Sequence, residues 1–215
     1  MKRVFGLIES IFDGVYLLAA VTIGLVLLLT GSGSLARVLC AAMALLLAGG
    51  DSFHLLPRIA VIRTGQEQRY RSALGRGKQI TSITMTLFYV LLWQVGLLVF
   101  DQSGSVWSYI LYALAAVRIG LCLMPQNAWL ERYPPVSWGV ARNVPFFAIA
   151  AIITVYFFLW RVQFSGFHNM WLAIVLSFVC YLPVVLWSNR NPKIGMLMFP
   201  KTCAYLWMLI MFLSV

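Results

Sequence analysis

The segment Gly49-Gly50-Asp51-Ser52-Phe53-His54-Leu55-Leu56-Pro57-Arg58 ends a long apolar run that begins near Leu35. It holds the only carboxylate that is well embedded in such a run. Asp51 and His54 are three residues apart and share a face on a helix, and Arg58 follows four residues later. Because an ionisable side chain at membrane depth is costly, this pattern indicates a functional site. The alternative is that Asp51 pairs structurally with an arginine or lies at the membrane interface.

The composition indicates an integral membrane protein. Of the 215 residues, 62% are hydrophobic and 10% are charged, whereas soluble domains contain about 25% charged residues. A spanning helix needs about 20 mostly apolar residues. On this basis the apolar runs predict spans at about 8–30, 35–56, 79–100, 105–124, 143–162, 168–187 and 197–214. We therefore expect an all-α, polytopic transmembrane helical bundle of about seven spans, formed as a single domain over residues 1–215.

The positive charge of the chain indicates its topology and not nucleic-acid binding. The net charge is +10, and the charged residues lie in short connections between apolar runs. Six lysines and arginines lie between residues 57 and 78, in a predicted basic loop. By the positive-inside rule this distribution predicts a cytoplasmic N-terminus and an outside C-terminus, N-in and C-out. Asp51 and His54 then lie near the cytoplasmic end of the second span, and we expect no nucleic-acid partner.

Further polar residues lie in the first and third spans. Glu9 and Asp13 are four residues apart and share a face. They either add carboxylates to a cytoplasmic-side site or suit the positive dipole of a helix's first turn. Ser82, Thr86 and Tyr89 share a face of the third span. They either bond across packed membrane helices or form a polar lining that faces Asp51.

Arg118 lies about midway through the fourth apolar run. A lone arginine at that depth requires an acidic partner or a water-filled cavity. The candidate partners in the sequence are Asp51, Glu9 and Asp13.

Several polar residues fall at the cytoplasmic ends of their spans, namely Arg58, Arg142, Asn189 and Lys201. A cluster of cations at headgroup depth suits a lipid phosphate. The alternative is that they serve as topology signals and as side chains that snorkel to the interface. Trp129, in the connection before the fifth span, suits the interfacial aromatic belt. Pro145 is placed as in the first turn of the fifth span.

The residue types exclude several chemistries. His54 and His168 fall near opposite faces of the membrane, and across a core of about 30 Å they cannot share a zinc ion. The chain has no G-x-S-x-G elbow and no P-loop. The four cysteines are widely spaced in apolar runs, so we expect buried free thiols. The sequence calls for no cofactor and no metal.

Two short patches resemble a known family. Gly50-Asp51 followed by Leu55-Leu56-Pro57-Arg58 is similar to the G-D-x3-L-L-P-R stretch that ends an early helix in the YhhN-like lysoplasmalogenase family. Trp187-Ser188-Asn189, followed by a basic stretch and by Cys203-Ala204-Tyr205 at the start of a last apolar helix, resembles that family's F-x-S-D/N element. The size of the chain, its membrane character and the order of its elements agree with the resemblance.

The resemblance implies hydrolysis of the vinyl-ether bond of a lysoplasmalogen, which yields a fatty aldehyde and a glycerophospho-amine. An enol ether is cleaved by protonation at carbon and by water attack on the oxocarbenium ion that results. Asp51 would donate the proton, His54 would be the second acid-base group or would orient water, and Glu9 or Asp13 would supply a second carboxylate. The implied catalytic residues are Asp51, His54, Asn189 and Tyr89. Together with the polar and basic residues noted above, the candidate substrate-binding residues are Arg58, Ser82, Thr86, Arg118, Arg142, Lys201 and Tyr205.

The expected partner is therefore a membrane lipid or lysophospholipid substrate, and the expected location is a bacterial plasma membrane. Two non-enzymatic alternatives stay open. A buried Asp–Arg pair also fits a small transporter, and packed polar groups also fit a lipid-binding or assembly protein. A lipid-sized pocket with Asp51 at its base would favour the enzyme. A water path between both sides would favour the transporter, and a fully paired Asp51 without a pocket would favour the assembly protein.

Overall fold

Seven long helices follow the apolar runs of the sequence. The structure, a computed structural model, describes residues 2–31, 33–102, 106–188 and 190–215. Its long helices are α1 (Lys2–Leu29), α2 (Leu35–Thr64), α3 (Glu67–Val99), α4 (Val106–Leu123), α5 (Val136–Leu159), α6 (Met170–Trp187) and α7 (Met198–Phe212). Seven helical segments in the described ranges are long and apolar enough to cross a membrane. The predicted all-α bundle of seven spans is confirmed, and the chain is a multi-pass membrane protein.

The helices form a closed bundle. α2 packs along both α1 and α3, α6 lies between α5 and α7, and α7 returns to contact α1 and α2. We call the end at which α2, α4 and α6 finish and α3, α5 and α7 begin the basic end, because Arg58, Lys78, Arg142 and Lys201 lie there. The positive-inside rule predicts that this end faces the cytoplasm.

The predicted basic loop at 57–78 is wrong. α2 continues to Thr64, and α3 begins at Glu67, so that only a tight turn separates them. Gly65 makes the turn with φ 71°, and its N–H donates to the carbonyl of Val61. Pro57 does not end α2; it lies inside the helix. The loop prediction failed because residues 67–78 are polar but are mostly good helix formers, which extend α3 beyond its apolar part.

The fifth span also begins earlier than predicted. α5 starts at Val136, directly after Pro135, so Pro145 lies inside the helix and not in its first turn. The residue before a proline avoids the helical conformation, so Pro134-Pro135 sets the start of α5. Before it, a 3₁₀ turn at Pro125–Asn127 and a bend connect α4 to α5.

Aromatic rings fill the bundle below the basic end. A series of ring contacts runs from Phe146 to Tyr89, Phe88, Phe212 and Phe167, with centroid separations of 5.2, 5.5, 6.4 and 6.2 Å. All five residues are buried. The four cysteines are free thiols as expected, but Cys203 is exposed while the other three are buried.

Candidate functional site

Three carboxylates lie between α1 and α2, and we call Glu9, Asp13 and Asp51 the acidic cluster. The hydroxyl of Tyr16 donates a hydrogen bond to Asp51 Oδ2 at 2.7 Å. Glu9 forms an ion pair with Arg58, and Asp13 lies within electrostatic range of Glu9, Asp51 and Arg58. Glu9 and Asp13 are each 8% exposed, and α1 begins at Lys2. They therefore lie beyond the first turn of the helix, which leaves them as carboxylates near Asp51.

A cavity of about 340 Å³ opens inside the basic end, and we call it the basic cavity. Every helix except α1 contributes to its lining. The lining carries six basic residues and no carboxylate: Arg58, Lys78, Arg118, Arg132, Arg142 and Lys201. Polar groups on the same lining include His54, Thr81, Ser82, Asn143, Tyr181 and Tyr205. The cavity is therefore suited to an anion.

Arg118 is the most deeply buried of these cations, with an exposed fraction of 1%. Its Nη2 lies 3.5 Å from the carbonyl of Ser82, while its Nε and Nη1 have no hydrogen-bond partner. The guanidinium lies over the ring of Phe146, at 3.2 Å from the centroid. Within the described residues, Arg118 forms no ion pair with Asp51, Glu9 or Asp13. The prediction of an acidic partner for Arg118 is therefore wrong. Arg118 lines a cavity instead, which is the predicted alternative.

The connection between α4 and α5 holds Arg142 at the cavity wall. Asn127 is buried; its side-chain amide donates to the carbonyls of Leu121 and Met124 at 2.6 and 2.8 Å. Its Oδ1 accepts a hydrogen bond from Arg142 Nη1 at 2.8 Å. The guanidinium also lies over the ring of Trp129, 4.2 Å from the centroid. These contacts orient the charge of Arg142 without neutralising it.

Lys201 lines the basic cavity and is also close to the acidic cluster. Its ammonium lies 5.2 Å from the ring centroid of Tyr181 and 4.8 Å from that of Tyr205. It also lies within electrostatic range of Asp51. Asp51 is not on the cavity lining, whereas His54, Lys201 and Tyr205 are. Asp51 thus lies behind the wall of the cavity, between Tyr16 and the α7 side.

The sequence-predicted residues divide into two groups. The cavity lining brings together His54, Arg58, Ser82, Arg118, Arg142, Lys201 and Tyr205. Thr86 is buried and donates to the carbonyl of Ser82 within α3. Tyr89 is buried among aromatic rings, with its hydroxyl 3.4 Å from that of Tyr205. Asn189 lies outside the described residues.

Sequence reasoning missed three groups that matter to the site. The sequence does not point to Tyr16, because a tyrosine in an apolar run gives no signal until its partner Asp51 is located. Asn127 and Lys78 lie in segments that the sequence predicts to be loops. Trp129 was assigned to the membrane interface, where its ring suits the aromatic belt equally well.

Among the residues that the structure describes, no group of three histidine, cysteine or acidic side chains is placed to hold a metal ion. Comparisons with family models, with curated proteins and with solved structures gave no match to this chain.

We expect Tyr16→Phe to lower the free energy of unfolding by about 1–2 kcal/mol, because Asp51 Oδ2 loses its donor in a partly buried setting. The measurement is chemical denaturation in mixed detergent. Tyr109→Phe is the matched control, since Tyr109 is 74% exposed, and we expect it to stay within about 0.5 kcal/mol of the parent protein. Equal stability of both variants would show that the Tyr16–Asp51 bond contributes nothing to folding.

Proposed function

We propose that this protein is a membrane-embedded lipid hydrolase of lysoplasmalogenase type, which binds a single-chain phospholipid with its phosphate in the basic cavity. The observation that carries the proposal is the lining of that cavity, with six basic side chains and no carboxylate, next to the acidic cluster. Membrane-inserted lipids present a phosphate at headgroup depth, where we expect the cations at the helix ends, such as Arg58, Arg142 and Lys201, to lie. The membrane is proposed to be a bacterial plasma membrane, with the cavity open to its cytoplasmic leaflet.

The dimensions of the cavity suit a headgroup with its glycerol. A volume of about 340 Å³ falls at the lower end of the range for small-ligand sites, roughly 300–1,000 Å³. Arg118 and Arg142 present guanidinium groups, which bind phosphate oxygens in a bidentate manner. The aromatic series below Phe146 closes the cavity toward the other end of the bundle. The lipid chain would therefore leave sideways toward the bilayer.

The proposed reaction uses the acidic cluster. Because Asp51 lies behind the cavity wall, the reaction requires the vinyl ether of the bound lipid to pass that wall. Tyr16 occupies Asp51 Oδ2, which leaves Oδ1 as the oxygen that transfers a proton. That proton adds to the vinyl carbon distant from the ether oxygen, and an oxocarbenium ion forms. Water then adds to the cationic carbon and gives up a proton to the Asp51 carboxylate or to His54. The resulting hemiacetal separates into a fatty aldehyde and a glycerophospho-amine whose glycerol hydroxyl is set free, so the net change is the addition of one water molecule.

The test is product analysis by mass spectrometry with the purified, detergent-solubilised protein. We expect a lysoplasmalogen to yield a fatty aldehyde, while matched acyl lysophospholipids and ceramides stay intact. The Asp51→Asn protein, purified in parallel, reports any contaminating activity. Release of a fatty acid would show that an ester or amide bond is the target. Absence of turnover in a monodisperse protein would exclude the hydrolase.

A second candidate is a lipid-binding or transport protein without chemistry. It is favoured by one observation, namely that Asp51 lies behind the cavity wall and not on its lining. If the protein only binds or transports lipid, the cavity binds the same phosphate, and the acidic cluster serves only to hold α1 against α2. Binding of lipid without turnover would select it over the hydrolase.

A further inference from the structure

A groove separate from the basic cavity lies between α3, the end of α4 and the connection that follows α4, and we call it the connection groove. Its volume is about 340 Å³. Of the described residues, the linings of the groove and of the basic cavity share only Trp129. We propose that the connection groove binds a phospholipid of the surrounding bilayer whose headgroup is phosphoethanolamine. Binding there does not depend on the proposed reaction, which uses the basic cavity and the acidic cluster.

The connection groove carries one cation and one carboxylate. Arg76 and Glu131 both lie on its lining, and both are exposed. They do not pair with each other, and neither forms an ion pair with another side chain in the part of the chain that the structure describes. Two opposite charges on one groove suit a zwitterion. The phosphate of the headgroup would lie at Arg76 and its ammonium at Glu131, so that one ligand pairs with both charges.

Apolar side chains of the groove lie beside the membrane-spanning part of α4. Leu123, Met124 and Leu130 are on the lining, with exposed fractions of 60%, 43% and 48%. α4 is one of the seven candidate spans and ends at Leu123. The groove therefore begins where a span leaves the hydrocarbon core, which is the depth of the headgroups. A bilayer lipid would cover these apolar side chains with its glycerol and chains, whereas a soluble zwitterion would leave them exposed.

Direct contacts between α3 and the connection hold the groove in place. Trp129 Nε1 and Gln79 Nε2 both donate to the carbonyl of Cys122, at 3.0 and 3.2 Å. Gly75 packs on the backbone of Trp129 so closely that an added Cβ would fall 2.3 Å from the carbonyl oxygen. Ala128 turns the chain just before this contact, with φ 47°, which is uncommon for a residue other than glycine. The groove is thus preformed, which lowers the cost of ordering the protein on binding.

The ammonium end of the groove favours a primary amine over a quaternary one. A primary ammonium donates charge-assisted hydrogen bonds to a carboxylate such as that of Glu131, and a choline group has no N–H to donate. Choline is recognised instead by aromatic cages. Trp129 is the only aromatic residue on the described lining, and the guanidinium of Arg142 lies over its ring. We therefore expect phosphoethanolamine to be preferred to phosphocholine.

The test compares dioleoyl phosphatidylethanolamine with dioleoyl phosphatidylcholine, which share the phosphate and the chains and differ in the amine. Dissociation constants are measured by native mass spectrometry on the full-length protein released from a maltoside detergent. We expect the ethanolamine lipid to bind about 5-fold more tightly, the upper part of the range for an exposed ion pair. Glycerophosphoethanolamine, which has the headgroup without the chains, should compete only weakly. Competition by this soluble compound as strong as that of the lipid would overturn a bilayer lipid as the ligand.

Two pairs of variants locate the site. Glu131→Gln should abolish the preference for the ethanolamine lipid, while Glu67→Gln, the same change at an exposed residue outside the lining, should retain it. Arg76→Gln should weaken binding of both lipids by about 5-fold, while Arg69→Gln, outside the lining on the same helix, should not.

Equal affinity of the parent protein for the two lipids would overturn the selection of the amine. A preference that persists in Glu131→Gln, or that is lost equally in Glu67→Gln, would overturn the connection groove as the site. All of these outcomes leave the proposed hydrolase unchanged, because that function is tested by aldehyde release.

Discussion

Asp51→Asn is expected to lower aldehyde release from a lysoplasmalogen by about 100-fold or more, because general-acid catalysis contributes roughly 10²- to 10⁴-fold. The substitution keeps the shape of the side chain. An asparagine oxygen can still accept the hydrogen bond that Tyr16 now donates to Asp51 Oδ2 at 2.7 Å. What is lost is the acidic proton. The measurement is the initial rate of aldehyde formation, together with lipid binding, which should change little because Asp51 is not on the cavity lining.

Asp101→Asn provides a matched control, with the same chemical change at the opposite end of the bundle. Asp101 has φ 50°, a left-handed conformation that asparagine also tolerates, so the fold should be unaffected. We expect parental rates for this variant. If the Asp51→Asn protein retained full turnover while remaining folded, Asp51 would not be the proton donor, and Asp13 or Glu9 would be examined next.

The membrane architecture could be predicted from the sequence because burial in lipid demands long apolar runs, which hydropathy records directly. The ends of the helices could not. Residues 57–78 are strongly basic, and charge alone suggested a loop, whereas α2 and α3 continue as helices beyond the apolar region. Helical hydrogen bonding depends on the backbone and not on hydropathy, so polar residues can extend a spanning helix. For the same reason the sequence predicts that the fifth helix begins near Pro145, whereas α5 begins at Val136.

The positive charge of the site could be predicted from the sequence, but the contacts between its side chains could not. Arg58, Arg142 and Lys201 were expected at one membrane face, because the positive-inside rule fixes the end of each span, and the cavity lining contains all three. Which side chains meet depends on helix rotation and packing. Arg118 was therefore matched to the wrong partners, and the Tyr16–Asp51 bond, which joins residues 35 apart, was missed. Tyr89, expected near the chemistry, lies instead in the aromatic core.

Gly77→Ala is expected to destabilise the protein by about 2–3 kcal/mol, the upper part of the usual range for overpacking. Gly77 of α3 lies against the backbone of α2, where an added Cβ would fall 2.7 Å from the carbonyl carbon of Phe53 and 2.8 Å from His54 Cα. Pro57 lacks the N–H that would bond the Phe53 carbonyl within α2, and Gly77 packs on that carbonyl. A methyl group has no flexible side chain to displace there, so the helices must separate.

We expect the unfolding temperature of Gly77→Ala to fall by roughly 5–10 °C, measured by circular dichroism in detergent. The shift of α2 should also weaken phosphate-lipid binding, because His54 and Arg58 are carried on the same part of the helix. Gly49→Ala is the control within α2, since its added Cβ meets nothing within 4 Å. Alanine favours a helix over glycine by about 1 kcal/mol, so Gly49→Ala should be neutral or slightly stabilising. A Gly77→Ala protein as stable as the Gly49→Ala protein would show that the close contact between α2 and α3 does not limit the stability of the bundle.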